Sequence, residues 1–309
     1  MSVVSCLPIL KLLADGNKLS CERLESLLAQ KPGEIIRQVG LLRSLGIPVE
    51  TVNLEYQIPG GLYIPTLPEL RRLVEFPIEM MTAVESTNGL LMKASTTDKC
   101  LIALYQREGR GRRGKEWVGA PGRTLMLSIG KSIALPAESL TTLSIAIGIS
   151  LCKTMRSLNV PAELKWPNDL WVGRFKLAGF LTELRVGAHG FMFAVIGLGL
   201  NLDTILGLEA DVATVANFTK QPWTDYETIV LINALLQTCD TFSHISAEAL
   251  INDYAEVSLL DGRQIEVRSN SSILVGVADG IDSSGRLRVI TDNGLVTVVA
   301  GDVSVRPTT

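Results

Sequence analysis

The chain has 309 residues, 47% hydrophobic and 20% charged, enough apolar material for two or three domains, which excludes a disordered, collagen-like or disulfide-stapled protein. Its 29 basic and 32 acidic side chains leave a net charge of −3, so no bulk positive field points to nucleic acid and any DNA contact has to be local. Five scattered cysteines, Cys6, Cys21, Cys100, Cys152 and Cys239, form no Cys-x-x-Cys pair, which reads as reduced thiols in a cytoplasmic protein.

No charged stretch leads into an apolar run and cleavage site at the N-terminus, so no signal peptide is expected. Residues 5 to 46 carry three helical pieces. The first runs through Leu7, Leu10, Leu12 and Leu13 and stops at Asp15-Gly16-Asn17. The second is capped by Ser20 and aligns Leu24, Leu27 and Leu28. The third follows Pro32-Gly33, turns Ile35, Ile36, Val39, Leu42 and Leu45 inward and ends at Gly46. Val49 to Val52 and Gly61 to Ile64 can then pair as a hairpin. This order over residues 1–65 predicts a winged helix-turn-helix, with the helix-turn-helix at about 21–40.

An α/β segment follows over 68–257. Strands are expected at Leu101 to Tyr105, Thr124 to Ile129, Ala162 to Trp166, Leu177 to Val186 and Phe191 to Ile196, with helices at Leu140 to Leu158 and Tyr226 to His244. The hairpin signal Val186-Gly187-Ala188-His189-Gly190 makes the sheet mixed or antiparallel rather than doubly wound. Ser139 to Cys152 is the longest uncharged apolar run, too short to span a bilayer, and reads as a core helix. Over 258–309, alternating strands at Arg263 to Arg268, Ile273 to Ala278, Leu287 to Thr291 and Leu295 to Val299, two of them joined at Asp292-Asn293-Gly294, predict a small β-barrel. The whole is an α+β multidomain chain without repeats.

The densest chemical signal is Gln106-Arg107-Glu108-Gly109-Arg110-Gly111-Arg112-Arg113-Gly114-Lys115. Its glycines spell G-x-G-x-x-G, but the following Glu116-Trp117-Val118-Gly119-Ala120-Pro121-Gly122 cannot continue as the helix a dinucleotide fold requires. A glycine loop carrying guanidinium groups suits a polyphosphate, whose oxygens it can approach closely and neutralise bidentately; a solvated basic loop is the plain alternative. Glu85-Ser86-Thr87-Asn88 opens a helix after an apolar strand, where Ser86 can serve simply as a cap. Lys165-Trp166-Pro167-Asn168-Asp169 ends a strand, Lys176 starts the next one before Leu177-Ala178-Gly179, and Gly197-Leu198-Gly199-Leu200-Asn201 offers bare backbone to a flat ligand and an amide to read it. His189 and His244, at a turn and a helix end, have no evident role.

In this order the five motifs resemble those of bacterial biotin protein ligases, and the layout resembles their bifunctional class, in which a winged-helix biotin operon repressor domain precedes the ligase. The resemblance implies a biotin/lipoyl-ligase-type catalytic domain, an SH3-like C-terminal barrel and a two-step reaction. ATP adenylates the biotin carboxylate, and a lysine of the biotin carboxyl carrier protein of acetyl-CoA carboxylase then displaces AMP. Carried over residue by residue, Ser86, Thr87, Asn88 and Gln106 match the biotin-reading pocket. Arg110, Gly111 and Arg112 match the loop that closes over biotin and its adenylate, and Lys176 the cation at the carboxylate and α-phosphate; Arg112 and Lys176 are the expected catalytic pair. Lys115, Asn168, Asp169 and Asn201 fall where the nucleotide is held, with Asp169 toward Mg2+. Trp223 stands equally as the aromatic that stacks on adenine or as a core tryptophan. Trp117, Trp166 and Trp171 have packing readings. Lipoate-protein ligase, which shares this chemistry, is the runner-up, and a ligand-responsive transcription factor with an inactive ligase domain is a third class.

The N-terminal domain is the least determined. Residues 1–67 hold six basic and six acidic side chains, where DNA-binding modules carry a basic stripe. Lys31, Arg37 and Arg43 are the expected contacts to operator DNA, beside Glu34, and the segment Asn53 to Gly60 has no lysine or arginine. A repressor in which biotinyl-AMP promotes homodimerisation and a vestigial winged helix that binds no DNA both remain open. By family analogy, the strand pair around Phe180 to Phe193 is the dimer surface. No membrane contact is expected.

Overall fold

The computed structural model describes residues 6–93, 97–186, 192–205, 212–268, 273–299 and 304–307; the turn at 187–190 with His189, and Glu209, lie outside these. Three helices open the chain: α1 (Leu7–Leu13), α2 (Cys21–Leu28) and α3 (Pro32–Ser44), with the two-residue strand β1 (Leu19–Ser20) between the first two. Ser20 caps α2, its hydroxyl accepting from Arg23 N at 3.1 Å, and Pro32 starts α3 where a missing N–H costs nothing. Ile35, Gln38, Val39 and Leu42 are the buried positions of α3. Ile36, expected inward, is 58% exposed, because it falls one residue off that 3.6-residue stripe.

The hairpin is tighter than expected. It pairs β2 (Glu50–Val52) with β3 (Glu55–Gln57), and residues 61–64 form no strand. Asn53 and Leu54 both take positive φ, 51° and 64°, which closes the turn in two residues with the twist that a hairpin needs. β1 adds to the far side of β3.

After α4 (Leu67–Leu73), the central sheet is built from β4 (Ile78–Met81), β5 (Lys99–Ala103), β6 (Thr124–Ile133), β7 (Glu163–Lys165), β8 (Asp169–Val172), β9 (Phe175–Val186) and β10 (Met192–Asn201). Their order is β4-β5-β6-β10-β9-β8-β7. Only β4 and β5 run parallel, so the sheet is mixed, as the hairpin signals predict. Along β10 the side chains alternate. Ala194, Ile196, Leu198 and Leu200 face the main core under α6 (Leu140–Ser157) and α7 (Asp225–Thr241), while Phe193 and Val195 pack with Leu91 of α5 (Thr87–Lys93) on the other face. Gly197 and Gly199 continue that second face, where the start of α5 gives way to a cavity.

α8 (Ala247–Val257) leads to β11 (Gln264–Arg268), β12 (Ile273–Ile281), β13 (Leu287–Thr291), β14 (Gly294–Val298) and β15 (Ser304–Pro307). The barrel expected here is an open antiparallel sheet among the described residues, in the order β14-β13-β12-β11-β15 with no pairing of its two edges. Its inner side chains, Ile265, Val267, Ala278, Leu287 and Val289, join the central core, so neighbouring elements cover its apolar face without edge closure.

Candidate active site

Parallel β4 and β5 carry two motifs to the same place. Beyond them, Val84 bridges Gln106, Arg107 N donates to the Val84 carbonyl at 2.9 Å, and Glu108 N to that of Glu85 at 2.8 Å. Ser86 and Gln106 are thereby delivered side by side. Ser86, Thr87 and Asn88 are all buried at the start of α5. Gln106 Oε1 accepts from Thr87 N at 2.7 Å and from Thr87 Oγ1 at 3.0 Å, so this amide oxygen is spent within the protein and its NH2 remains as a donor. Ser86 Oγ accepts from Gly89 N at 3.2 Å.

The arginine loop folds on itself. Gly111 N donates to the Lys115 carbonyl at 2.7 Å and Trp117 N to that of Gly109 at 2.8 Å. A Cβ on Gly109 would lie 2.3 Å from the Trp117 carbonyl oxygen, so glycine is required for this close backbone crossing. Arg113 and Gly114 turn the chain with φ of 57° and 71°. The fold-back sends Arg110 to Glu183, at 3.2 Å, and Arg112 to the Asn168 amide oxygen, at 3.4 Å.

The glycines of Gly197-Leu198-Gly199 have a different use from the one expected. A Cβ at Gly197 would meet Asn88 Oδ1 at 2.2 Å, and one at Gly199 would meet the Trp117 ring at 2.2 Å. Bare backbone here makes room for two protein side chains that shape the cavity. Gly179, register partner of Gly199, extends the floor beneath Trp117.

The cavity, about 1040 Å3, runs from Ser86, Thr87 and Gln106 past Trp117 to Asn168, Asp169 and Lys176. Its lining includes eight Lys or Arg side chains against two carboxylates, Glu116 and Asp169, a field suited to a polyanion. Lys176 Nζ lies 2.9 Å from Asp169 Oδ1 and 5.5 Å from the Trp117 ring centre. Asn168 is fixed by donating to the Phe180 carbonyl at 2.7 Å. No group of three or more His, Cys, Asp or Glu that could hold a metal occurs among the described residues. Mg2+ is commonly held by one or two carboxylates plus substrate phosphates, so Asp169 fits an ion that arrives with a nucleotide. No cysteine lines the cavity, and burial pushes Cys100, Cys152 and Cys239 up to about 12, which makes them poor nucleophiles at neutral pH.

Of the residues singled out from sequence, Ser86, Thr87, Asn88, Gln106, Arg110, Gly111, Arg112, Lys115, Asn168, Asp169 and Lys176 all line this cavity. Asn201 and Trp223 do not. Asn201 instead donates to the Lys176 carbonyl at 3.3 Å, and Trp223 packs on the core with its Nε1 donating to Thr228 at 2.9 Å. Sequence reasoning gave no role to three further residues here. Lys165, 7% exposed, lies 3.9 Å from the Trp171 ring centre, and Arg263 reaches the cavity from the C-terminal sheet. Glu183 lies behind the Asn88 amide, which donates to it at 2.9 Å. Only Lys165 had a signal, its place in Lys-Trp-Pro-Asn-Asp. Two of the three cations expected to contact DNA have partners within the protein. Arg37 pairs with Glu34, and Arg43 donates to the Val49 carbonyl and Thr51 hydroxyl, both at 2.8 Å, which ties α3 to the hairpin.

Similarities to known proteins bear on this site. The sequence profile of the Biotin/lipoate A/B protein ligase family matches residues 80–201, and that of the Biotin protein ligase C terminal domain matches residues 262–306. The chain is 28% identical to the bifunctional ligase/repressor BirA of Escherichia coli over 97% of both chains, and 29% identical to a biotin–[acetyl-CoA-carboxylase] ligase of Mycobacterium tuberculosis over 73% of this chain and 88% of that relative. In fold it resembles the biotin protein ligase from Aquifex aeolicus solved with biotin and ATP, with TM-score 0.65 and 21% identity, covering 75% of this chain and 99% of that one.

Proposed function

We infer, from the premise that the chain belongs to the biotin/lipoate A/B protein ligase family, that it joins biotin to a protein lysine using ATP. The observation that carries this reading is a cavity with neutral hydrogen-bonding groups at one end and a cation cluster at the other. Ser86, Thr87 and the Gln106 NH2 would read the ureido ring. A lipoate dithiolane would leave those groups unpaired, a loss that discriminates strongly between ligands.

In the first step, a biotin carboxylate oxygen attacks the α-phosphorus of ATP and pyrophosphate leaves. Lys176 would neutralise the carboxylate and α-phosphate as they approach, while Arg110, Gly111 and Arg112 close over them. Lys115, Asn168 and Asp169 would hold the nucleotide, with Asn201 steadying the Lys176 backbone. Mg2+ bound with ATP would use Asp169 and neutralise phosphate oxygens. Alignment and charge stabilisation then suffice without an enzyme nucleophile. In the second step, a lysine amine of the carboxyl carrier protein of acetyl-CoA carboxylase attacks the acyl carbon, loses a proton and expels AMP. The test is pyrophosphate release from Mg-ATP with biotin or with lipoate: release with biotin alone is expected, and lipoate-dependent release would overturn the assignment.

We further propose that residues 1–65 form a winged helix-turn-helix that represses the biotin operon, with biotinyl-AMP as corepressor and promoter of a homodimer. Similarity to a ligase/repressor over 97% of both chains supports it, as does the α2–α3–hairpin order. Arg43 is engaged with the hairpin, so Lys31 and Arg37 would carry the phosphate contacts. A gel-shift on the biotin operator with biotin and ATP tests this, and no shift with ligation intact would mean a vestigial domain.

A further inference from the structure

Glu116 stands opposite Arg110 and is not paired with it. The two bridge as antiparallel neighbours where the arginine loop folds back. The bonds on either side, Gly111 N to the Lys115 carbonyl and Trp117 N to the Gly109 carbonyl, make this a non-hydrogen-bonded pair, the kind whose side chains stand closest together. Opposite charges so placed attract, yet the Arg110 guanidinium turns away to Glu183, at 3.2 Å. Among the described residues the Glu116 carboxylate has no ion pair and no side-chain hydrogen bond.

The other carboxylate of the cavity is spent, since Asp169 lies 2.9 Å from Lys176 Nζ. Glu116 is therefore an exposed, uncommitted negative charge set among eight Lys or Arg side chains of the lining. The phosphates of a nucleotide gain nothing from it, because like charges repel. Such a charge serves a cation that has to enter from solvent. The proposed reaction has one. The acceptor lysine arrives as an ammonium at neutral pH, and the same cluster of cations that favours ATP opposes its approach.

We propose that Glu116 is the receptor for the acceptor lysine, drawing its ammonium to the place where the cavity meets solvent, against the field of the arginine loop. The assignment rests on the ligase reading and deepens it. Held there, the ammonium gives one proton to water and becomes the amine that attacks. Its lone pair forms the C–N bond to the biotinyl carbon. The C–O bond to AMP breaks with its electron pair passing to the phosphate oxygen, and the nitrogen sheds its second proton to water. Arg110 has a part in this through its partner: by holding to Glu183, it leaves Glu116 open for the incoming cation.

The test reads the two steps separately in the full-length protein, for the parent, Glu116→Gln and Glu116→Asp. Biotin-dependent pyrophosphate release reads the first step. For the second, protein loaded with biotinyl-AMP is mixed with a biotin carboxyl carrier domain, with lysine blocked at its α-amino and carboxyl groups, or with hydroxylamine, a nucleophile uncharged near neutral pH. Glu116→Gln should leave pyrophosphate release and the hydroxylamine rate nearly unchanged, and slow both lysine nucleophiles roughly fivefold or more at subsaturating concentration. Glu116→Asp should recover most of that loss. Unchanged lysine rates in Glu116→Gln would overturn the assignment. So would a loss of pyrophosphate release, which would give the carboxylate to ATP or its Mg2+, and an equal slowing of hydroxylamine, which would make Glu116 a structural part of the loop. Slowing of the carrier alone would place its contact elsewhere on the carrier and overturn the assignment too. A parent protein that releases no pyrophosphate with biotin would remove the ligase reading itself and this assignment with it.

Discussion

Lys176 and Glu183 sit on one strand, but only Lys176 lines the cavity, while Glu183 pairs with Arg110 and accepts from Asn88 behind it. On the proposed reading Lys176 faces the place where charge shifts during adenylation, and its 2.9 Å pairing with Asp169 holds it in position. Its contribution should therefore be concentrated in the transition state. Lys176→Ala is predicted to slow pyrophosphate release by on the order of 10²–10³, while equilibrium biotin binding changes little; equal losses in both would make it a simple biotin contact. Lys176 is legible in the sequence because it stands alone before a short motif. Glu183 and Ser128, which hold the Asn88 amide at 2.9 and 2.6 Å, are not, since each is one polar residue in a strand. Their meaning depends on which strands pair and in what register, and no local pattern encodes that. Asn88 is legible as a member of the site, but its saturated hydrogen bonds make it part of the frame rather than a reader of the ligand.

The seven-stranded sheet brings five separate motifs to one face, and its glycines decide what can lie there. Gly197→Ala should place a methyl group against the Asn88 amide, 2.2 Å from its oxygen. The expected cost is about 1–3 kcal/mol of stability with a much larger proportional loss of biotin binding, read from a thermal melt and a titration on the same sample. Unchanged binding would show that Asn88 can move without consequence for the pocket. Sequence periodicity predicts most of these strands and the α6 helix, because β6 and β10 are apolar and long. It fails at the hairpin, where a leucine at positive φ, Leu54, gives no turn signal. It also fails at the C-terminal barrel. Alternation shows that one face of those strands is buried, but not whether their own edge or a neighbouring element buries it.

The first 65 residues do not stand apart from the catalytic sheet. Their core includes Leu104, Ala120 and Ile205 from the chain around the ligand-facing loops, and the Tyr63 hydroxyl donates to Asp225 at 2.6 Å. At the other end, Trp166 Nε1 donates to the Gly285 carbonyl at 3.0 Å, joining the Lys-Trp-Pro-Asn-Asp segment to the C-terminal sheet. For DNA binding, few free cations mean few phosphate contacts. Log affinity should fall with log salt at about −0.9 per contacted phosphate, and useful affinity should need a dimer on two half-sites. A salt series on operator DNA, with and without biotin and ATP, checks this. A steep slope for the unliganded chain would mean contacts beyond Lys31 and Arg37.

On the proposed reading, one cavity makes an acyl-adenylate from biotin and hands it to a protein lysine. Its most direct test is a single reaction of this chain with Mg-ATP, biotin and a biotin carboxyl carrier domain, followed by nucleotide analysis and intact mass of the carrier. AMP and pyrophosphate should form only when biotin is present, and the carrier should become heavier by one biotinyl group on one lysine. ATP left intact, or a carrier modified by lipoate and not by biotin, would contradict it.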